Sequence, residues 1–136
     1  MPATSTADRQ VLAASAPPSA GEALGVHVLA DLHGCPHERS SDAAVGEAAV
    51  LRAVAASGAT ILSHASHQFE PHGATVVVLL AESHATVHTW PERGYAGVDF
   101  FTCGTSMDAA ATVRALVRAF GATSNDVRVV ERGGRP

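Results

Sequence analysis

Residues 74–102 read ATVVVLLAESHATVHTWPERGYAGVDFFT, three apolar or β-branched runs in succession with no helical period between them. The first, residues 74–81, is almost wholly aliphatic. The second, residues 86–90, and the third, residues 95–102, are rich in Val, Thr and aromatic residues, and Pro91 and Gly94 punctuate the gap. These residue types fit a pleated, half-buried surface, so the stretch is expected to form consecutive strands.

The same reading extends outward. Residues 60–68 and 25–31 are expected as further strands, and residues 126–131 (DVRVVE) alternate as a last one. Residues 42–57 carry Ala, Val and Leu at helical spacing, with Val50, Leu51 and Val54 near one face. Ser41 or Asp42 suits the N-cap of this helix, and Gly58 its stop. Thr105 followed by Asp108 resembles a capping box opening a second helix to about residue 120, with Val113, Leu116, Val117 and Phe120 apolar and Gly121 ending it. The order βαββββαβ favours an α+β two-layer sandwich, an antiparallel sheet with both helices on one face. The other face then needs cover, which points to a partner chain.

With 136 residues, 46% hydrophobic and 16% charged, the chain has the size and balance of one globular domain. Residues 23–136 are expected to be that domain, and residues 1–22, rich in Ala, Ser, Thr and Pro, a disordered tail that lacks the regions of a signal peptide. A net charge of −4 leaves no basic patch for phosphates, which argues against nucleic acid as a partner. No apolar run approaches the ~20 residues that span a bilayer. Cys35 and Cys103 are read as reduced thiols of a cytoplasmic protein. All nine basic residues are arginine. Pyridoxal phosphate enzymes hold their cofactor on a lysine, so an amino-acid decarboxylase built from this chain needs another electron sink.

Residues 81–104, AESHATVHTWPERGYAGVDFFTCG, set a serine after a glutamate, a histidine five residues later and a cysteine twenty residues later. A serine hydroxyl can attack the preceding carbonyl, here that of Glu82, and turn the amide into an ester. This requires a strained turn and donors for the oxyanion. Loss of the Ser83 α-proton then expels the Glu82 carboxylate, and the dehydroalanine left behind hydrolyses to a pyruvoyl group and ammonia.

The run closely resembles the self-cleavage and active-site segment of the prokaryotic S-adenosylmethionine decarboxylases, pyruvoyl enzymes that supply the aminopropyl donor for spermidine and other polyamines. HVLADLHGCP (residues 27–36) and FEPHGATVVVLLAES (residues 69–83) extend the resemblance over roughly residues 25–130. It implies cleavage between Glu82 and Ser83, with Ser83 becoming the pyruvoyl cofactor that condenses with the substrate amine. By the same resemblance His88 assists processing as the base for the α-proton, Cys103 donates the proton that quenches the decarboxylated carbanion, Phe69 stacks on adenine and Glu92 binds the ribose hydroxyls. A further hydroxyl that supports processing, a serine in the family, falls on Thr75. The resemblance also implies a homodimer of cleaved protomers, with Phe69 contributed across the interface.

The chemistry fits these residue types. Imidazole suits a base near neutral pH, a largely protonated thiol suits an acid, and a carboxylate accepts two bonds from a diol. Strand alternation puts Ser83 and His88 on different faces, so a turn or bulge after Ser83 is expected if they converge. His27, His33, Cys35 and His37 are spaced like zinc ligands, but no second pair completes a shell, and the motif HxxxDxxGC already accounts for His27, Asp31 and Cys35. No metal is therefore expected. His64, His67 and His72 are expected to be exposed or satisfied locally. His84 is expected to shape the turn without a catalytic role. The alternatives are a relative turned to ornithine or arginine by the same chemistry, or an unprocessed binding partner that has kept the fold.

Overall fold

The computed structural model describes residues 24–103 and 107–134. Its centre is a six-stranded sheet in the order β2-β3-β4-β5-β1-β6, formed by β1 (Gly25–His33), β2 (Ile61–Gln68), β3 (Ala74–Leu80), β4 (Ser83–Trp90), β5 (Tyr95–Thr102) and β6 (Ser124–Arg132). Every neighbouring pair is antiparallel. The helices are α1 (His37–Ser40), α2 (Ala43–Ala56) and α3 (Ala109–Phe120), and a single 3₁₀ turn spans Pro91–Arg93.

Both long helices lie on one face, and alternation along the strands shows which. Val28, Ala30 and Leu32 of β1, Val76, Val78 and Leu80 of β3, Ala85 and Val87 of β4 and Val98 and Phe100 of β5 share one core with Val50 and Val54 of α2 and Leu116 and Phe120 of α3. Phe100 and Phe120 are fully buried, and truncating either to alanine removes ~3–5 kcal/mol of stability.

The helix ends follow from local chemistry. Asp42 caps α2 by accepting from the backbone N–H groups of Ala44 and Val45, which decides between the two candidates Ser41 and Asp42. Asp108 caps α3 by accepting from Ala111. The helix therefore starts one turn later than a capping box on Thr105 would place it, and Thr105 itself lies outside the described residues. Gly121 ends α3 with φ 66°, and a Cβ there would meet the Pro36 ring at 3.0 Å, so only glycine fits without adjustment. The expected tail, residues 1–22, also lies outside the described residues.

Among the described residues, nothing covers the opposite face of the sheet. It presents Leu29, Val77, Leu79, Trp90 and Val130, all more than two-fifths exposed, among polar side chains. No helix among the described residues is long and apolar enough to cross a membrane.

Candidate active site

Ala81 and Glu82 form the tight connection between β3 and β4, so the Glu82–Ser83 peptide bond sits where the hairpin turns. The Glu82 carboxylate accepts from the Thr60 backbone N–H at 2.9 Å, which pins the turn. Ser83 opens β4 opposite Thr102 with φ 158°, the one positive φ outside glycine among the described residues. Cys103 follows the end of β5, and its thiol lies 3.3 Å from the Glu82 carbonyl oxygen.

Beside this bond, on the bare face, His27, His84 and Asp99 converge, and Ser83 reaches His84 from the start of β4. Ser83 Oγ is 3.2 Å from His84 Nδ1, and His84 Nε2 is 3.9 Å from Asp99 Oδ1. The same Asp99 oxygen is 3.3 Å from His27 Nε2, while Asp99 Oδ2 accepts from the Thr86 hydroxyl at 2.6 Å. The donor atoms of His27, His84 and Asp99 all lie within 4.8 Å of one another and could hold a cation, a grouping that the spacing of His27, His33, Cys35 and His37 did not anticipate. His33 instead faces Asp126, and His37 packs edge-on against His72.

A second cluster occupies the far end of β4. His88 Nδ1 is 3.0 Å from the Thr75 hydroxyl. Both line a cavity of about 590 Å³ that Phe69, His72, Trp90 and Glu92 also border. Phe69 is half exposed and packs edge-on against His67. Glu92 contacts His72 Nε2 at 2.7 Å. A hydrogen bond from its own backbone N–H, and then His72, hold the Glu92 carboxyl below the usual carboxylate range.

The two clusters do not meet within one chain. The ladders from β4 to β3 and β5 run without a register shift, so the bulge expected after Ser83 is absent. A bulge in this central strand would break pairing on both sides. Five residues of strand at ~3.3 Å each put His88 roughly 17 Å from Ser83, on the other face. Thr75, pinned to His88, is equally remote from the Glu82 carbonyl.

The family model described as S-adenosylmethionine decarboxylase matches residues 26–133. The chain belongs to the S-adenosylmethionine decarboxylase family. It is 41% identical over 111 residues to the S-adenosylmethionine decarboxylase proenzyme of Carboxydothermus hydrogenoformans, covering 82% of this chain and 87% of that one. It is also 41% identical over 110 residues to the proenzyme of Pseudomonas aeruginosa, with 81% and 69% covered. The crystal structure of the Aquifex aeolicus adenosylmethionine decarboxylase superposes with a TM-score of 0.78 at 38% identity, covering 85% of this chain and 95% of that one. A Trypanosoma brucei AdoMetDC monomer shares the fold alone, with a TM-score of 0.57 at 15% identity over 45% of its length.

Of the residues singled out from sequence, the S-adenosylmethionine decarboxylase fold thus groups Glu82, Ser83 and Cys103 at one end of the sheet, and Phe69, Thr75, His88 and Glu92 at the other. His84 and Asp99 flank the first group and His72 and Trp90 the second; His84 was expected only to shape the turn and His72 to be exposed or satisfied locally, while Asp99 and Trp90 were not singled out. A signal for the first pair existed. Once β4 starts at Ser83 rather than Thr86, pairing with β5 sets His84 opposite Phe101 and Thr86 opposite Asp99.

Proposed function

We propose that this chain is a proenzyme that cuts itself between Glu82 and Ser83, converts Ser83 to a pyruvoyl group, and decarboxylates S-adenosylmethionine to the aminopropyl donor of spermidine synthesis. The observation that carries the reading is the Cys103 thiol on the Glu82 carbonyl oxygen at 3.3 Å, beside the only non-glycine positive φ among the described residues. An attacked carbonyl gathers negative charge on its oxygen, and a donor already placed there lowers the barrier.

A pyruvoyl group at position 83 supplies an electron sink for the bond that releases carbon dioxide. The remaining work falls to side chains. Cys103, exposed at the end of β5, returns a proton to the substrate carbon. Phe69 offers its half-exposed ring to adenine, with stacking of about 1–3 kcal/mol, and Glu92 accepts from the ribose diol. His88, its Nδ1 turned toward Thr75, takes the Ser83 α-proton during processing.

These roles require the two clusters to meet, and a second copy of the chain answers that requirement. Two bare sheet faces packed together cover the exposed Leu29, Val77, Leu79 and Val130. A two-fold arrangement brings the cavity end of one protomer to the cleavage end of its partner. In this reading Phe69, Thr75, His88 and Glu92 all act across the interface, in a cytoplasmic homodimer with both thiols reduced.

The test is release of labelled carbon dioxide from carboxyl-labelled S-adenosylmethionine, ornithine and arginine. Turnover of S-adenosylmethionine alone supports the proposal. Turnover of ornithine or arginine instead reassigns the substrate, and no turnover by cleaved protein points to a non-catalytic partner.

A further inference from the structure

We propose that His84 is the base that starts self-cleavage, taking the proton of the Ser83 hydroxyl, and that Asp99 positions it. The proposal rests on the self-cleavage reading above and adds a residue for its first step.

Two protons must move before the pyruvoyl group exists, one from Ser83 Oγ and one from Ser83 Cα. His88 cannot reach the first within its own chain, and its Nδ1 already faces Thr75. His84 touches the reacting atom, with Nδ1 3.2 Å from Ser83 Oγ. Only the tautomer with the proton on Nε2 leaves Nδ1 free to accept, and a carboxylate near Nε2 favours that tautomer. Asp99 Oδ1 stands 3.9 Å from Nε2, a charge contact longer than a hydrogen bond, and is shared with His27 Nε2 at 3.3 Å, while Thr86 holds the other Asp99 oxygen at 2.6 Å. The imidazole is fixed in plane as well, stacked on Phe101 with an 8° tilt and met edge-on by His27. A nucleophile, a base and an orienting carboxylate in series are the arrangement that activates a serine elsewhere.

The step balances without an added reactant. His84 Nδ1 takes the hydroxyl proton as Ser83 Oγ bonds to the Glu82 carbonyl carbon, and the oxyanion forms against the Cys103 thiol. The bond from the Glu82 carbon to the Ser83 nitrogen then breaks, and that nitrogen takes the proton back from His84. The product is an ester at Oγ with a free Ser83 amine, and His84 is again neutral. The ionisable groups facing His84 are His27 of β1, Asp99 of β5, and Cys103 and Glu82 beside the scissile bond. β3 contributes Leu79, which does not titrate.

The experiment follows cleavage of freshly translated full-length chain by gel and intact mass across pH. It is run with and without hydroxylamine, which cuts the ester and spares the amide. Wild type cuts between residues 82 and 83, with a rate expected to fall in acid because the step needs a neutral base. His84→Ala is expected to cut about a hundredfold more slowly, to lose the acid limb, to build up no hydroxylamine-sensitive ester, and to regain rate with added imidazole. Asp99→Asn, which keeps the shape, is expected to slow the same step to a lesser degree. Wild-type rate and acid limb in His84→Ala overturn the proposal, as does accumulated ester, which puts His84 after the first step. A slow His84→Ala that imidazole does not rescue, together with unaltered cleavage in Asp99→Asn, also overturns it. A wild-type chain that never cuts removes the self-cleavage reading itself, which is a separate result.

Discussion

The thiol of Cys103 and the carbonyl oxygen of Glu82 lie 3.3 Å apart where the β3–β4 hairpin turns. On the proposed reading this one side chain acts in two steps, first against the oxyanion of processing and then as the proton donor of decarboxylation. A thiol is a weak donor, so Cys103→Ala should slow cleavage by about tenfold, less than the loss of a strong oxyanion donor. The cleaved variant should decarboxylate far more poorly. Timed gels and carbon dioxide release separate the two effects. Cleavage at the wild-type rate would show that the contact has no part in processing.

The separation of Ser83 from His88 along β4 makes the two-copy site testable by mixing. His88→Ala alone should stall as an ester that hydroxylamine cuts, and Ser83→Ala alone should never cut. Co-expressed with different tags, they should form mixed dimers in which the His88→Ala chain is processed, because its Ser83 meets the partner's intact His88. Mixed dimers with no cleavage would place both residues in one protomer. Thr75→Val removes the hydroxyl held at 3.0 Å from His88 and should slow processing by roughly 3- to 10-fold, one hydrogen bond's worth.

Glu92→Gln should leave cleavage intact and raise KM for S-adenosylmethionine roughly tenfold or more, the scale of a hydrogen bond to a charged group. The Glu92 carboxyl is held low by its own backbone N–H and then by His72, so it stays ionised in more acid solution than an ordinary glutamate. KM of the wild type should therefore remain flat as pH falls through the usual glutamate range. An unchanged KM in Glu92→Gln would remove the ribose contact.

Tyr95, the one tyrosine of the chain, donates to the Asp31 carboxylate, and this bond, with burial and the Asp31 charge, pushes its phenol up to about 12. The native value is raised above the unfolded ~10, so the contribution to stability is complete below pH ~10 and disappears as pH rises through about 12. Ultraviolet titration should show native phenolate appearing near 12, and earlier in Asp31→Asn. Coincident native and denatured titrations would contradict this.

The strands and long helices were legible because their signals are local. β3 and β5 carry clear apolar patterns, and Asp42 and Gly121 mark helix ends by chemistry that acts within a turn. α1 was missed because four residues after Pro36 carry no period. β4 was begun at Thr86 because Glu82, Ser83 and His84 are polar, although the hairpin pairs Ser83 with Thr102. The resemblance supplied the candidate chemical residues as a set. Their division between two ends of the sheet was invisible, because spacing along a chain does not reveal whether a strand is bulged. The place of His84 beside Asp99 depended on the same register.

Self-cleavage to a pyruvoyl chain is decided by intact mass of the purified protein with a carbonyl-reactive probe. Two chains are expected, residues 1–82 and residues 83–136, with a probe-labelled ketone at the start of the second and no cleavage in Ser83→Ala. A single uncut chain that still decarboxylates S-adenosylmethionine would contradict it.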